Sequence, residues 1–269
     1  MPMHLRTRST LLSIALAAAL PAAAAAQTIH PVLDVQGKWV LGAPVNGVWR
    51  DGQAIARQVR AGRRYRVFGP ASELGVSTGS RAESLDVPCP ETFGVELSPE
   101  RAGGEIAIDA AWNVVPRRVI RLSQAAADGY RDAVRQILLR HGIRDPDPRV
   151  TGAVRVDLDG DGTEEVIVSA HRQTADGTFH VGAGDYGIVF VRRLVAGTVR
   201  TLMVEEEYHP RAAGETTPNQ FTIAGVYDLD GDGAMELVTR GRYYEGEWST
   251  VYRLRGTTVR KLVSAGCGA

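Results

Sequence analysis

A nine-residue acidic stretch occurs twice in this chain and constrains its fold more than any other feature. Asp157-Leu158-Asp159-Gly160-Asp161-Gly162-Thr163-Glu164-Glu165 returns as Asp228-Leu229-Asp230-Gly231-Asp232-Gly233-Ala234-Met235-Glu236. Carboxylates stand at positions 1, 3, 5 and 9 of each copy, as Asp157, Asp159, Asp161 and Glu165 and then Asp228, Asp230, Asp232 and Glu236. Acids at alternate positions of a tight, glycine-bearing turn aim their oxygens at one centre. Oxygen-only ligands at high negative charge suit a hard cation, above all calcium, so two calcium sites are expected. The competing reading, aspartates that merely build two Asp-Gly turns, would leave four carboxylates per loop repelling one another without relief.

The repeat extends beyond the loops. Ala153-Val154-Arg155-Val156 and Ala224-Gly225-Val226-Tyr227 lead in, and Val166-Ile167-Val168 and Leu237-Val238-Thr239 lead out. Later, Val191-Arg192-Arg193-Leu194 through Val199-Arg200-Thr201-Leu202 matches Val251-Tyr252-Arg253-Leu254 through Val259-Arg260-Lys261-Leu262, each pair of alternating strands joined at a glycine turn. Each copy therefore offers about four antiparallel strands. The copies are offset by 71 residues at the loops and 60 at the later hairpins, so the first carries extra chain around His171 to Tyr186. Such a one-sided insertion is a candidate functional loop, although a lengthened surface hairpin is the commoner explanation.

Strand, acidic loop, strand in this order resembles the FG-GAP/VCBS-type repeat, in which a DxDxDGxxD/E loop joins two strands of a propeller blade and binds calcium. The match covers about Val150 to Gly268. The resemblance implies ligands at Asp157, Asp159, Asp161, Glu165 and the Thr163 carbonyl, and at Asp228, Asp230, Asp232, Glu236 and the Ala234 carbonyl. Both loops end in Glu where Asp is more usual. A closed propeller needs several blades and only two loop-bearing copies occur, so the expected assembly is open, with the two units stacked on each other or on the N-terminal strands. An EF-hand is excluded, because position 12 is Val168 or Thr239 and both exits read as strands.

The N-terminal half reads as short strands with turn punctuation: Trp39-Val40-Leu41, Gly47-Val48-Trp49, Arg64-Tyr65-Arg66-Val67-Phe68 and the run Glu105 to Trp112. Gly69 to Pro90 is expected to be a long loop. Within it Gly75-Val76-Ser77-Thr78-Gly79 has the spacing of a hydrolase nucleophile elbow, but no apolar helix follows, and a flexible turn is preferred. One helix is expected over about 123–141, since Tyr130, Val134, Ile137 and Leu138 form an apolar stripe, Ser123 or Asp128 can cap it and Gly142 can end it. The fold class is mainly β: antiparallel sheets from two four-stranded blade-like repeats, a small N-terminal β unit and one α-helix. The expected division is a signal peptide over 1–26, an N-terminal β domain over 27–148 and the repeat region over 149–269, with copies at about 149–210 and 220–268.

The signal peptide follows from Arg6 and Arg8, the apolar run Leu11 to Leu20 and small residues over Ala22 to Ala26. Export to the periplasm or outside the cell is expected, with no integral membrane segment after cleavage. The 31 basic and 31 acidic residues lose Arg6 and Arg8 on processing, leaving 29 against 31, which provides no basic field for nucleic acid. Cys89 and Cys267 are the two cysteines, and in an oxidising compartment a bridge between them is favoured. Glu205, Glu207 and His209 can share one strand face, which allows metal or acid–base chemistry, but a solvated strand end is preferred. For His171 and His180 exposed loop positions are preferred. Together these features describe an exported calcium-binding β-repeat protein with a structural role, or one that binds an envelope or extracellular protein or glycan. The alternative is a secreted hydrolase with the repeats as scaffold.

Overall fold

The computed structural model describes residues 28–173, 180–214 and 217–268. The signal peptide expected over 1–26 lies outside the described residues. The strands of three residues or more are β1 (Val32–Asp34), β2 (Trp39–Val45), β3 (Val48–Asp51), β4 (Arg64–Phe68), β5 (Glu73–Gly79), β6 (Ile106–Ile108), β7 (Val150–Val156), β8 (Glu165–Arg172), β9 (Asp185–Val195), β10 (Thr198–His209), β11 (Gln220–Tyr227), β12 (Glu236–Tyr243), β13 (Gly246–Arg255) and β14 (Thr258–Gly268). The chain is mainly β with antiparallel pairing.

Each repeat is a four-stranded meander, β7-β8-β9-β10 and β11-β12-β13-β14, and the first gains a fifth, edge strand at Ile120–Arg121. The two copies share register at the acidic loop: Val156 faces Glu165 across the first, and Tyr227 faces Glu236 across the second.

The sheets stack face to face, and strand alternation assigns each side chain to one of two cores. In the first repeat Val154, Val156, Ile167, Val189 and Val191 face the second repeat, while Ala153, Val168, Ile188 and Phe190 point the other way. In the second repeat Val226 and Leu237 meet the first, whereas Tyr227 and Val238 meet Val32, Leu41, Phe68 and Ile108 of the N-terminal sheet. The second repeat is thus the middle layer. Strands buried on both faces lose the alternation of a half-exposed sheet, which is why β9 is apolar almost throughout.

The helix covers the outer face of the first repeat. Ser123 caps it through Ala126 N, Asp128–Tyr130 tightens into a 3-10 turn, and Arg131–Arg140 is α-helical with Val134, Ile137 and Leu138 buried against Ala153, Val168 and Phe190. The expected single helix is therefore interrupted, at an Asp-Gly pair of low helix propensity. Gly142, with φ 86°, and the Ile143 N to Leu138 O bond of 3.1 Å end it as the sequence suggests.

The N-terminal sheet runs β3-β2-β1-β6-β4-β5, with shorter pairings over 83–98. Gly69 to Pro90 is not one long loop: β5 lies inside it and pairs with β4 from Arg64–Thr78 onward. The run from Glu105 is strand only over Ile106–Ile108, because the chain then turns to carry Trp112 toward the second acidic loop. Polar and covalent ties join this sheet to the middle layer. Buried Asp34 accepts from Arg240 Nη2 at 3.1 Å and from Ser249, and the disulfide Cys89–Cys267 closes across 178 residues with its Cα atoms 5.5 Å apart.

Candidate metal centre

Both acidic loops fold by the same local bonds. The position-1 aspartate accepts two main-chain amides: Asp157 from Gly160 N at 2.7 Å and Gly162 N at 3.1 Å, and Asp228 from Gly231 N at 2.7 Å and Gly233 N at 3.0 Å. All four glycines have positive φ, between 76° and 88°, which an L side chain resists. The position-9 glutamate reaches back to the position-2 amide, Glu165 to Leu158 N at 2.9 Å and Glu236 to Leu229 N at 3.0 Å. Each loop therefore closes on carboxylate oxygens from its first and last positions.

The closure gathers two triads, Asp157, Asp159, Glu165 and Asp228, Asp230, Glu236, each with one ligand atom per residue within 4.8 Å of the others. These acidic groups could hold a metal ion. The position-5 aspartates stand outside the triads: Asp161 accepts from Thr163 N at 2.7 Å and Asp232 from Ala234 N at 2.9 Å, and the second oxygen of Asp232 faces Arg255. Those same turns orient the Thr163 and Ala234 peptides at position 7.

One arginine from the third strand of each repeat answers each triad. Arg193 on β9 bonds Asp159 and lies 3.4 Å from Glu165; Arg253 on β13 bonds Asp230 and donates through Nε to Glu236 at 2.9 Å. Arg255 pairs separately with Asp232 at 2.5 Å. With all three carboxylates ionised, one guanidinium leaves two negative charges uncompensated in each triad. Glu165 is 1% exposed, and its Oε1 accepts no hydrogen bond. A buried carboxylate oxygen of that kind is costly unless a further cation completes it. The donor set therefore fits a divalent ion.

The protonation chemistry points the same way. Burial, then the charge of Asp230, pushes Glu236 up to about 8 against the opposing pull of Leu229 N and Arg253. Burial also raises Glu165 and Asp228, with neighbouring aspartates adding to it. A bound cation would reverse these shifts.

The two loops touch. Met235 N donates to Leu158 O at 2.8 Å, and Arg117 donates to Asp157 O at 2.5 Å, Leu158 O at 2.8 Å and Gly233 O at 2.6 Å. Trp112 covers the second loop, with Nε1 donating to Asp228 O at 2.8 Å. Sequence reasoning missed Arg117, Trp112, Arg193 and Arg253. A signal existed for the last two, which occupy matched positions in the aligned hairpins; for Arg117 and Trp112 there was none.

The other candidates separate. Ser77 is buried in β5 and donates to Pro99 O at 2.6 Å, so it forms neither an elbow nor a flexible turn. His171 lies half-buried on β8 instead of in an exposed loop, its Nδ1 without a hydrogen bond, and burial followed by Arg242 lowers its pKa. His180 is exposed at a short pairing with Gly214. The chain between them over 174–179 lies outside the described residues. Glu207 accepts from His209 and from Asn219 N at 3.1 Å, whereas Glu205 turns away to Thr239. His209 lines an open cleft of about 890 Å³ with Arg144, Asp145, Tyr208 and Arg211.

No protein-family model matches the chain, and no curated protein or solved structure matches it. Among the described residues, no helix is long and apolar enough to cross a membrane.

Proposed function

We propose that this is an exported protein whose two repeats each bind one calcium ion, and that the ions serve structure, leaving outer loops free to contact an envelope or extracellular protein or glycan. The observation that carries the reading is the convergence of three carboxylates on one arginine in each matched triad, more acid than the guanidinium can balance, with Glu165 Oε1 accepting no hydrogen bond in the first. Asp157, Asp159 and Glu165, and Asp228, Asp230 and Glu236, are the side chains that would hold the ions, with Asp161, Asp232 and the Thr163 and Ala234 carbonyls completing the shells. Oxygen-only ligands on a flexible loop favour calcium over magnesium, which holds its water and demands stricter geometry. Binding to the folded chain alone makes binding energy folding energy. The test is thermal melting in calcium and in chelator. A midpoint that rises with calcium in the parent and not in Asp159→Ala with Asp230→Ala supports the role; an unchanged parent midpoint refutes it.

A hydrolytic reading draws on one observation, the His209–Glu207 pair at the open cleft. Histidine oriented by a carboxylate is a general base in search of a substrate. Turnover of ester, glycoside or peptide substrates that disappears in His209→Ala would support it, and equal rates in both proteins would remove it.

A further inference from the structure

We infer that the two cation sites act as one cooperative unit, coupled through the Leu158–Met235 main-chain hydrogen bond and through Arg117. The inference rests on the calcium reading above and concerns how the two sites influence each other.

The coupling elements lie inside the ligand loops. Leu158 stands between Asp157 and Asp159; its amide donates to Glu165 and its carbonyl accepts from Met235 N. Met235 stands between Ala234 and Glu236, the position-7 carbonyl and position-9 carboxylate of the other loop. One peptide of the first site is therefore bonded to the peptide joining two ligands of the second. Leu158 and Met235 also share an apolar core with Ile167, Val226 and Leu237, so neither end of the bond shifts independently.

Arg117 adds a second link. Its guanidinium donates to Asp157 O and Leu158 O of the first loop and to Gly233 O of the second. Gly233 N in turn donates to Asp228, the position-1 ligand. A planar, rigid fork that satisfies three carbonyls fixes the distance between the loops in a way a flexible ammonium would not. Both loops gather like charge, so without ions repulsion among the triad carboxylates opposes the closure of each. With a cation held by Asp157, Asp159 and Glu165 that repulsion would be relieved, the Leu158 peptide would be fixed more firmly, and through these bonds so would the Ala234–Glu236 segment before a second ion arrived. The second ion then meets a loop whose ordering is partly complete, which is positive cooperativity. Direct repulsion between two divalent ions acts in the opposite sense and weakens with salt, so the measurement belongs at about 0.15 M ionic strength.

The experiment is calorimetric titration of the chelator-stripped full chain with calcium chloride. The parent is expected to take up two ions with a Hill coefficient above one, and Arg117→Met to take up two ions with a lower coefficient. Asp159→Asn, which disables the first site, is expected to weaken the second by about fivefold or more, and Asp230→Asn to weaken the first by the same factor, since coupling between binding equilibria is reciprocal. This pair decides the matter if Arg117→Met fails to fold. Two ions bound independently, or with negative cooperativity, would overturn the coupling and leave the calcium reading standing. No calcium uptake by the parent would overturn both.

Discussion

The two acidic loops share a motif and differ in what surrounds them. In the first, at the edge of the stack, Asp157 is half-buried, Asp159 is exposed, and Glu165 keeps one unbonded oxygen. In the second, within the middle layer, Asp228 is 4% and Glu236 0% exposed, Trp112 lies over Gly231, and Arg253 bonds both Asp230 and Glu236. One sequence thus makes an open site and a braced one, and the difference comes from layer position. Burial multiplies the cost of uncompensated charge, so the braced loop should depend more on its ion for stability even though its arginine is better placed.

The largest expected effect tests that ranking. At free calcium about a hundredfold above the dissociation constant each site contributes about 2.7 kcal/mol, so chelation should cost about 5 kcal/mol in all and lower the melting midpoint by about 10–20 °C. Asp230→Asn should remove more of this shift than Asp159→Asn. Equal losses would show that layer position does not matter, and the reverse order would show that the unbonded Glu165 oxygen outweighs burial.

The disulfide belongs to the braced side alone, joining β14 of the second repeat to the N-terminal sheet. Closing 178 residues corresponds to about 5 kcal/mol in the chain-entropy model, of which native strain subtracts a part. Cys89→Ser with Cys267→Ser is expected to cost about 4 kcal/mol in denaturant titration. Calcium affinity should fall at the second loop and hold at the first, as read by titrating the double-serine protein in the Asp159→Asn and Asp230→Asn backgrounds. Equal weakening of both would mean that the tie supports the whole stack.

Replacing each loop's arginine comes next. Arg253→Met in chelator strips Glu236 of its Nε–H donor and the triad of its guanidinium, at about 3 kcal/mol. Arg193→Met should cost less, about 2 kcal/mol, because Asp159 of its triad is exposed although Arg193 itself is buried. Saturating calcium should shrink both costs, since an ion takes over the charge. If Arg253→Met costs as little in chelator as Arg193→Met, the braced site is no more dependent on compensation than the open one.

How much of this was legible in the letters depends on distance along the chain. The four strands per repeat, β4 at Arg64–Phe68 and the Cys89–Cys267 bridge follow from local pattern or from counting. β5 does not, because Gly75 and Gly79 interrupt its alternation and its pairing is supplied by β4. The triads were half legible: positions 1, 3 and 9 converge as their spacing suggests, while Asp161 and Asp232 turn back onto their own loops. Arg117 and Trp112 act on loops 40 and 116 residues away, through carbonyls that every residue possesses, and no spacing rule marks such a partner.

The smallest effect concerns the seam between the layers. Glu205 of the first repeat accepts from Thr239 Oγ1 of the second at 2.8 Å and from Tyr252, and burial raises its pKa above the ordinary glutamate range, with the hydrogen bonds and Lys261 pulling the other way. An acid whose folded pKa lies above its unfolded value holds more protons folded than unfolded. Stability therefore falls as pH rises from about 4.3 through the folded pKa, and then levels. Glu205→Gln keeps an acceptor for Thr239 and removes the charge, so it should stabilise the protein at neutral pH by less than about 1 kcal/mol and lose that advantage below the ordinary glutamate range. Denaturant titrations of parent and variant at several pH values, in saturating calcium to hold the loop acids constant, isolate the group as a difference. A difference that does not change with pH would mean that Glu205 is as well solvated in the folded chain as in the unfolded one, and that the seam between the repeats admits water.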